Sequence, residues 1–347
     1  MVSAFEVVVT MKVSICIPVY NSESTIEQTL RSLMRQTYED LEIIVADNAS
    51  TDDTPNIIRR MATLDSRVRH ERFEEFVTSH GNMTRCIHLA QGEYTAIFHA
   101  DDIYHTDIVE READFLDLHP EVGAVFTTGG RIDGEGRRLA RYPIPIAVFD
   151  GHSAVFDFKS AMSASLQYGH IFLTPSAMVR TEIYQDEIRE WPDHQFGGAG
   201  DLYIFLRIAK SHKLAIINQE LMDWRTSISS TSYRYVRARR SRHDIFLALD
   251  YYIKEFYAKE MTERDRKNYQ FLLMKDDTII AISHLIDGNF RFARGLMPRL
   301  VYPSIIVSAS RFKFHMKCLA AAWAAWVLSF VPLGKVGRSL LSRIRFG

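Results

Sequence analysis

A chain of 347 residues with 47% hydrophobic and 24% charged side chains has enough apolar material for one large domain or two ordinary ones, which excludes disorder, collagen and coiled coil. Its 42 basic and 43 acidic side chains cancel to a formal net charge of -1, so the total gives no reason to expect nucleic acid as a partner. The distribution is uneven, because residues 288–347 carry ten basic side chains and no carboxylate, which leaves the first 287 at -11.

The first ten residues include Glu6 and lack both a basic stretch and a long apolar run, so no secretory signal is expected there, and Met11 stands just before the first patterned strand. Residues 13–18 form an apolar run rich in β-branched side chains, and over 24–35 Ile26, Leu30, Leu33 and Met34 share one helical face. A second buried strand is expected over 41–47. The polar cluster 48–53 closes it, and a helix capped near Asp52 or Asp53 follows with Pro55 in its first turn. A third helix over about 81–90 carries Met83, Ile87 and Ala90 and leads to a strand over 94–98 that ends in His99, Ala100, Asp101 and Asp102. A fourth helix starts near Asp107. Strands alternating with helices of this length imply right-handed crossovers and an α/β fold with a mostly parallel sheet covered on both faces. Ligands of such sheets sit beyond the carboxyl ends of the strands, so the polar clusters after Val45 and after Phe98 open on one edge.

Residues 123–146 read as strands and turns around Gly129, Gly130, Gly134 and Gly136. Residues 199–209 begin with glycine and Asp201, then set Leu202, Phe205, Leu206 and Ala209 on one helical face; 227–235 is a polar loop, and from about Arg237 the pattern is helical. Cys16, Cys86 and Cys318 lie in apolar surroundings without CxxC pairing, which suits a reducing compartment. Only residues 318–333 are apolar enough to raise a membrane question, and they fall short of the about 20 residues that a spanning helix needs. Trp323 and Trp326 lie one turn apart and Lys317 and Lys335 bracket the run, as in a segment lying in or dipping into the headgroup layer. The carboxylate-free basic flank adds attraction to anionic lipid of about 1 kcal/mol per residue near the surface. A buried C-terminal helix is the competing reading of the same run.

The chain has no GxGxxG after its first strand and no P-loop, HExxH or GxSxG motif, so dinucleotide oxidoreductase, P-loop NTPase, zincin and α/β-hydrolase readings lose their anchors. What stands at the strand ends instead is carboxylate. The segments VSICIPVYN (13–21), LMRQT (33–37), IIVADNASTDDT (43–54) and AQGEY (90–94), with the acidic cluster ending at Asp102, resemble the opening of a family 2 glycosyltransferase with the GT-A fold. The resemblance covers about residues 12–232, and beyond Gly130 it rests on the acidic helix start at Asp201.

That resemblance implies a set of roles. Asp47, at the end of the second strand, takes the place of the carboxylate that accepts hydrogen bonds from the donor's base, as an acceptor-only group at a strand end can. Pro18, Val19, Tyr20, Asn21, Glu23 and Asn48 line the same nucleotide pocket, and Asn82 and Arg85, on the third helix near the donor edge, either touch the nucleotide or form that helix's exposed face. His99-Ala100-Asp101-Asp102 replaces the DxD motif. Asp101 matches its metal-binding carboxylate and Asp102 is a second candidate ligand, for Mg²⁺ or Mn²⁺, hard ions suited to oxygen. His99 stands where the first carboxylate, which meets the ribose or a metal-bound water, usually is. Asp201 matches the acid that deprotonates the acceptor hydroxyl, although the acid expected before it is Gly200. Arg225, before the loop over the diphosphate, offers a bidentate phosphate contact. Arg237, Arg239, Arg240 and Arg242 either meet an acceptor phosphate or form a solvated helix face.

The expected organisation is an N-terminal lead (1–11), a GT-A type, Rossmann-like catalytic domain (12–235), a helical extension (236–290) and a basic, apolar membrane-associating tail (291–347). The implied activity is transfer of a sugar with inversion from a nucleotide-diphosphate-sugar to an acceptor hydroxyl, with a UDP-sugar ahead of a dTDP- or GDP-sugar. The implied acceptor is a lipid-linked glycan of cell-surface polysaccharide synthesis, at the cytoplasmic face of the bacterial inner membrane, and nucleic acid is not an expected partner. A catalytically inactive scaffold or carbohydrate-binding partner is the alternative outside catalysis, and a sugar nucleotidyltransferase the one within it.

Overall fold

The computed structural model describes residues 11–141, 144–145, 148–192, 194–226, 239–296, 313–330, 334, 337 and 339. Residues 1–10, the polar loop over 227–235, Arg237, and Arg299, Arg311, Lys335, Arg338, Arg343 and Arg345 of the tail lie outside the described residues. The chain divides into two units, Met1–Ala161 with His170–Thr226 and Met162–Gly169 with Ser227–Gly347.

In the first unit, β1 (Val13–Val19) and β2 (Leu41–Asn48) are apolar on both faces and almost wholly buried, as strands in the middle of a parallel sheet are. They are followed by β3 (Val68–Phe73), β4 (Tyr94–Ile97), β5 (Ile103–Tyr104), β6 (Val122–Ile132), β7 (Arg138–Arg141), β8 (Ser153–Phe156), β9 (Met178–Arg180) and β10 (Lys213–Arg225). Among the described residues these make a ten-stranded sheet in the order β3-β2-β1-β4-β9-β6-β10-β5, with β7 on β6 and β8 on β10. The run β3-β2-β1-β4 is parallel, β9 enters antiparallel between β4 and β6, and β10 is parallel to β6. The expected α/β architecture with a mostly parallel sheet is therefore present.

The helices are α1 (Ile26–Leu33), α2 (Thr54–Leu64), α3 (Ser79–Leu89), α4 (Ile108–Leu118), α5 (Phe158–Tyr168) and α6 (Gly200–Ala209). Ile26, Leu30 and Leu33 of α1, Ile57, Ile58 and Met61 of α2, and Ile108, Val109, Ala113 and Leu116 of α4 join the strand side chains in one buried core. Asp53 sits at the N-cap of α2 with its side chain accepting from Asn56 Nδ2 and not from a helix amide, and Asp52 Oδ1 accepts from Thr54 N instead, so the expected cap is divided between the two.

Strand β3 is absent from the sequence reading, and the reason is physical. Its residues Arg69, His70, Glu71 and Arg72 give neither alternation nor an apolar run, because an edge strand buries little. The glycine of AQGEY has a packing cause: a Cβ on Gly92 would stand 2.7 Å from Ser14 N, and the amides of Gln91 and Gly92 both donate to Ser14 Oγ.

The second unit is helical, with α7 (Ile245–Tyr252), α8 (Glu263–Ile286), α9 (Phe290–Leu296) and α10 (Lys313–Leu328). Thr262 and Asp265 form a capping box that starts α8. Phe271, Met274, Ala281, Leu285, Ala293 and Ala325 form its core. Arg239, Arg240 and Arg242 pair with Asp276, Asp287 and Asp277 respectively, so these cations meet carboxylates of their own unit. No helix among the described residues is long and apolar enough to cross a membrane.

Candidate active site

Three parallel strands end at one edge, and the backbone turns sharply there. Asn21 follows β1 with φ 47° and Ala49 follows β2 with φ 60°, both in the left-handed region. The two turns are locked together. Asn21 N donates to Ser50 Oγ and Thr51 N to Asn21 Oδ1, while Glu23 N donates to Asp52 Oδ2 and Asp53 N to Glu23 Oε2. Asn21 and Glu23, expected at the nucleotide pocket, thus brace the two turns against each other. Tyr20, which follows Pro18 and Val19, stays 45% exposed and meets the exposed Phe76 edge to face at 4.8 Å.

Asp47 lies opposite Val19 and Arg72 in the sheet and is fully buried. Ser50 N donates to its Oδ1 at 2.9 Å, and its Oδ2 is 3.3 Å from both His70 Nε2 and Arg72 Nη1. Burial raises the carboxyl's pKa, but His70, Ser50 and Arg72 outweigh that and hold it below the ordinary aspartate range. The surface that Asp47 presents is therefore the guanidinium of Arg72, 41% exposed and also bonded to Ser50 O. His70 and Arg72 escaped the sequence reading along with β3. Asn48 bonds the backbone of Val77 in both directions, Arg85 donates to Asn48 Oδ1 and Glu75 O, and Asn82 donates to Ala46 O. Asn48 and Arg85 thus hold the loop after β3 in place, and Asn82 ties α3 to β2.

The acidic turn after β4 is equally braced. Tyr104 stacks on Phe98 at 4.1 Å and its hydroxyl accepts from His99 N, while Thr29 Oγ1 lies within bonding distance of Ala100 O and Asp102 O. Arg225 N donates to Asp102 Oδ1 at 2.8 Å. Its guanidinium donates to Asp101 O, Asp133 O, Gly134 O and Gln28 Oε1 and is 5% exposed as a residue. Arg225 thus acts as a clamp on the acidic turn, with its donors directed at protein carbonyls rather than at an open phosphate site.

His99, Asp101 and Asp102 each offer a ligand atom, and these atoms lie within 4.8 Å of one another. A divalent ion with bonds of about 2.1 Å spans roughly that distance between opposite ligands. Asp102 Oδ2 and His99 Nε2 are buried without a hydrogen-bond partner, so the turn fits a metal. Burial, and next the charge of Asp101, raise the Asp102 pKa well above the ordinary value. Burial lowers that of His99, against the opposing pull of Asp101 and Asp201.

That pull ties Asp201 electrostatically to the turn. Asp201 opens α6, with Oδ1 accepting from Leu202 N at 2.7 Å and Oδ2 from Thr174 Oγ1 at 2.6 Å; His170 Nε2 stands 3.1 Å from Oδ2. Burial alone would raise its pKa, yet His170, Thr174 and the Leu202 amide hold it at about 2. Neither His170 nor Thr174 stands out in the sequence. At Gly200, where the acid is missing, a Cβ would lie 3.2 Å from Trp191 Nε1 and 3.4 Å from Pro192 Cγ, so a larger residue there requires the indole to give by a few tenths of an ångström.

This arrangement has the chemistry to hold a divalent ion and to take a proton from a hydroxyl. UDP-Glc:alpha-D-GlcNAc-diphosphoundecaprenol beta-1,3-glucosyltransferase WfaP of Escherichia coli is 34% identical over 105 residues, 30% of this chain and 41% of that one. The chain spans less than half the length of several curated relatives it matches. Among solved structures, S. aureus TarS in complex with UDP-GlcNAc superposes with a TM-score of 0.53 at 16% identity, over 96% of this chain and 92% of that one. Mannosyltransferase PcManGT from Pyrobaculum calidifontis in complex with GDP-Man and Mn²⁺ gives 0.54 at 17%, over 92% and 85%. The structural likenesses establish a GT-A-like fold, and since the sequence profile of Glycosyl transferase family 2 matches residues 14–187, the chain belongs to that family.

Proposed function

We propose that the protein transfers a sugar from a nucleoside-diphosphate donor to an acceptor hydroxyl in a single, inverting displacement. The observation that carries the reading is the pairing of a braced His99–Asp102 turn with an ionised Asp201 whose charge reaches it. Pro18, Val19 and Tyr20 with the Asp47–Arg72 pair receive the nucleotide; a carboxylate that fixes a guanidinium presents donors to a base edge. Asp101 and Asp102 would hold Mg²⁺ or Mn²⁺, which supplies charge neutralisation at the donor diphosphate when bound. Asp201 takes the acceptor proton as the new bond forms, a contribution of about 10²- to 10⁴-fold in rate.

A UDP-sugar is the proposed donor and a lipid-linked glycan of bacterial polysaccharide synthesis the proposed acceptor, supported by the names of WfaP and of the TarS complex. Membrane association, proposed at the cytoplasmic face, is supported by α10 and the turn after it, which expose Trp323, Trp326, Val327 and Phe330 while Ala325 and Leu328 pack inward.

The test is a panel of nucleotide sugars incubated with the protein and Mn²⁺, following release of nucleoside diphosphate. One donor should be consumed selectively, and Asp201→Asn should retain donor binding while losing turnover by the factor above. Turnover unchanged in that variant removes Asp201 from the base role, and release of pyrophosphate in place of nucleoside diphosphate refutes the transferase reading.

A further inference from the structure

The turn that would hold the ion has one nitrogen donor where two oxygens alone were expected. His99 Nδ1 stands 4.0 Å from Asp102 Oδ2, its Nε2 is buried without a partner, and its ligand atom falls within the same 4.8 Å cluster as those of Asp101 and Asp102. Asp102 is wholly buried, one oxygen is engaged by Arg225 N, and the other has no hydrogen bond. A buried carboxylate oxygen left open beside an unbonded imidazole is a ligand pair in search of a cation. The backbone around the pair is fixed by Tyr104 OH on His99 N and by Thr29 on Ala100 O and Asp102 O, so the two donors are presented on a rigid turn.

We infer that His99 is itself a metal ligand and sets the metal preference of the site, favouring Mn²⁺ and Co²⁺ over Mg²⁺. Magnesium is a hard ion that prefers oxygen throughout its shell, whereas imidazole binds the later divalent ions progressively better along the first transition row. The inference rests on the reading of this turn as the metal-holding turn of a transferase.

The experiment uses the full chain with UDP as the probe nucleotide. Dissociation constants for Mg²⁺, Mn²⁺ and Co²⁺ are measured by calorimetry on the wild type and on His99→Asp, and bound Mn²⁺ is examined by pulsed electron paramagnetic resonance for coupling to ¹⁴N. The expected result is ¹⁴N coupling in the wild type that disappears in His99→Asp, with the Co²⁺ over Mg²⁺ preference falling about tenfold or more. Mn²⁺ bound without ¹⁴N coupling, coupling that persists in the variant, or an unchanged ratio in a folded variant overturns the assignment of His99 while leaving a metal-dependent transferase standing. No divalent ion bound in the presence of UDP overturns both. The wild-type spectrum decides the ligand question even if the variant folds poorly.

Discussion

Asp201→Asn also has a cost that is readable against pH, separate from its effect on turnover. The carboxyl is held at about 2 against an ordinary 3.8, with His170, Thr174 and the Leu202 amide outweighing the burial that opposes them. At about 1.36 kcal/mol per pH unit of difference, the ionised group contributes about 2 kcal/mol to folding. The side chain is 22% exposed, so solvent screening takes little of this away. Because the folded-state value is the depressed one, the contribution is fully present above the unfolded value near 4 and is lost as the pH falls toward 2. Urea unfolding of the wild type and Asp201→Asn in parallel, from neutral pH down to about pH 3, should show a gap of about 2 kcal/mol that narrows to about half at the acid end. His170→Asn should reproduce part of the gap with Asp201 intact. A gap that keeps its size across the series would falsify the electrostatic account of Asp201 and leave only packing.

Glu112 behaves in the opposite sense. It is fully buried on α4 with neither oxygen bonded, and burial holds its pKa well above the ordinary value, so it penalises the fold increasingly as the pH rises past about 4.5. Glu112→Met should stabilise the protein by about 1 kcal/mol or more, with a larger gain at pH 8 than at pH 5; a loss of thermal stability at both would show that an unrecognised partner binds the carboxyl. Ala49→Gly relieves a side chain from φ 60° and should raise the urea midpoint by the equivalent of about 1 kcal/mol, the opposite of the usual glycine effect, and a lowered midpoint counts against strain at that turn. Replacing Trp323, Trp326 and Phe330 together by serine should release the protein from anionic phospholipid vesicles in a flotation assay, with its circular dichroism unchanged; continued flotation moves the lipid contact away from α10.

Legibility in the sequence followed burial. Strands β1, β2 and β4 and helices α1 to α4 were readable because each buries a face wide enough to impose a period, and their ends fixed the edge on which Tyr20, Asp47 and the His99–Asp102 turn lie. Strand β3 was not readable, since four of its six residues are charged or histidine, and with it went His70 and Arg72, the partners that define what Asp47 offers. The second half of the site was hidden for another reason. Thr174 comes from a short 3-10 turn before β9, and His170 from the chain just after α5, so both reach Asp201 through tertiary packing that leaves no local period. Arg225 was found but with a different task, because a sequence shows a cation near an acidic motif and cannot show that backbone carbonyls take its donors first.

The same distinction bears on whether His99 and Gly200 mark a transferase that has lost its chemistry. An inactive scaffold needs its core but has no use for a carboxylate kept ionised against burial, which opposes folding unless other groups compensate. Here the compensation is specific. Thr174, His170 and the α6 amide are arranged on Asp201, while Thr29, Tyr104 and Arg225 fix the backbone on either side of Asp102 without closing its second oxygen. Gly200 has an indole packed 3.2 Å from where a Cβ would be, a local feature of helix packing that leaves Asp201 in place. His99 keeps a ligand atom within 4.8 Å of those of Asp101 and Asp102. Two departures that each preserve the neighbouring functional group, surrounded by bonds that hold costly charges in position, are the pattern of an adjusted active site, and they favour catalysis over a binding-only role.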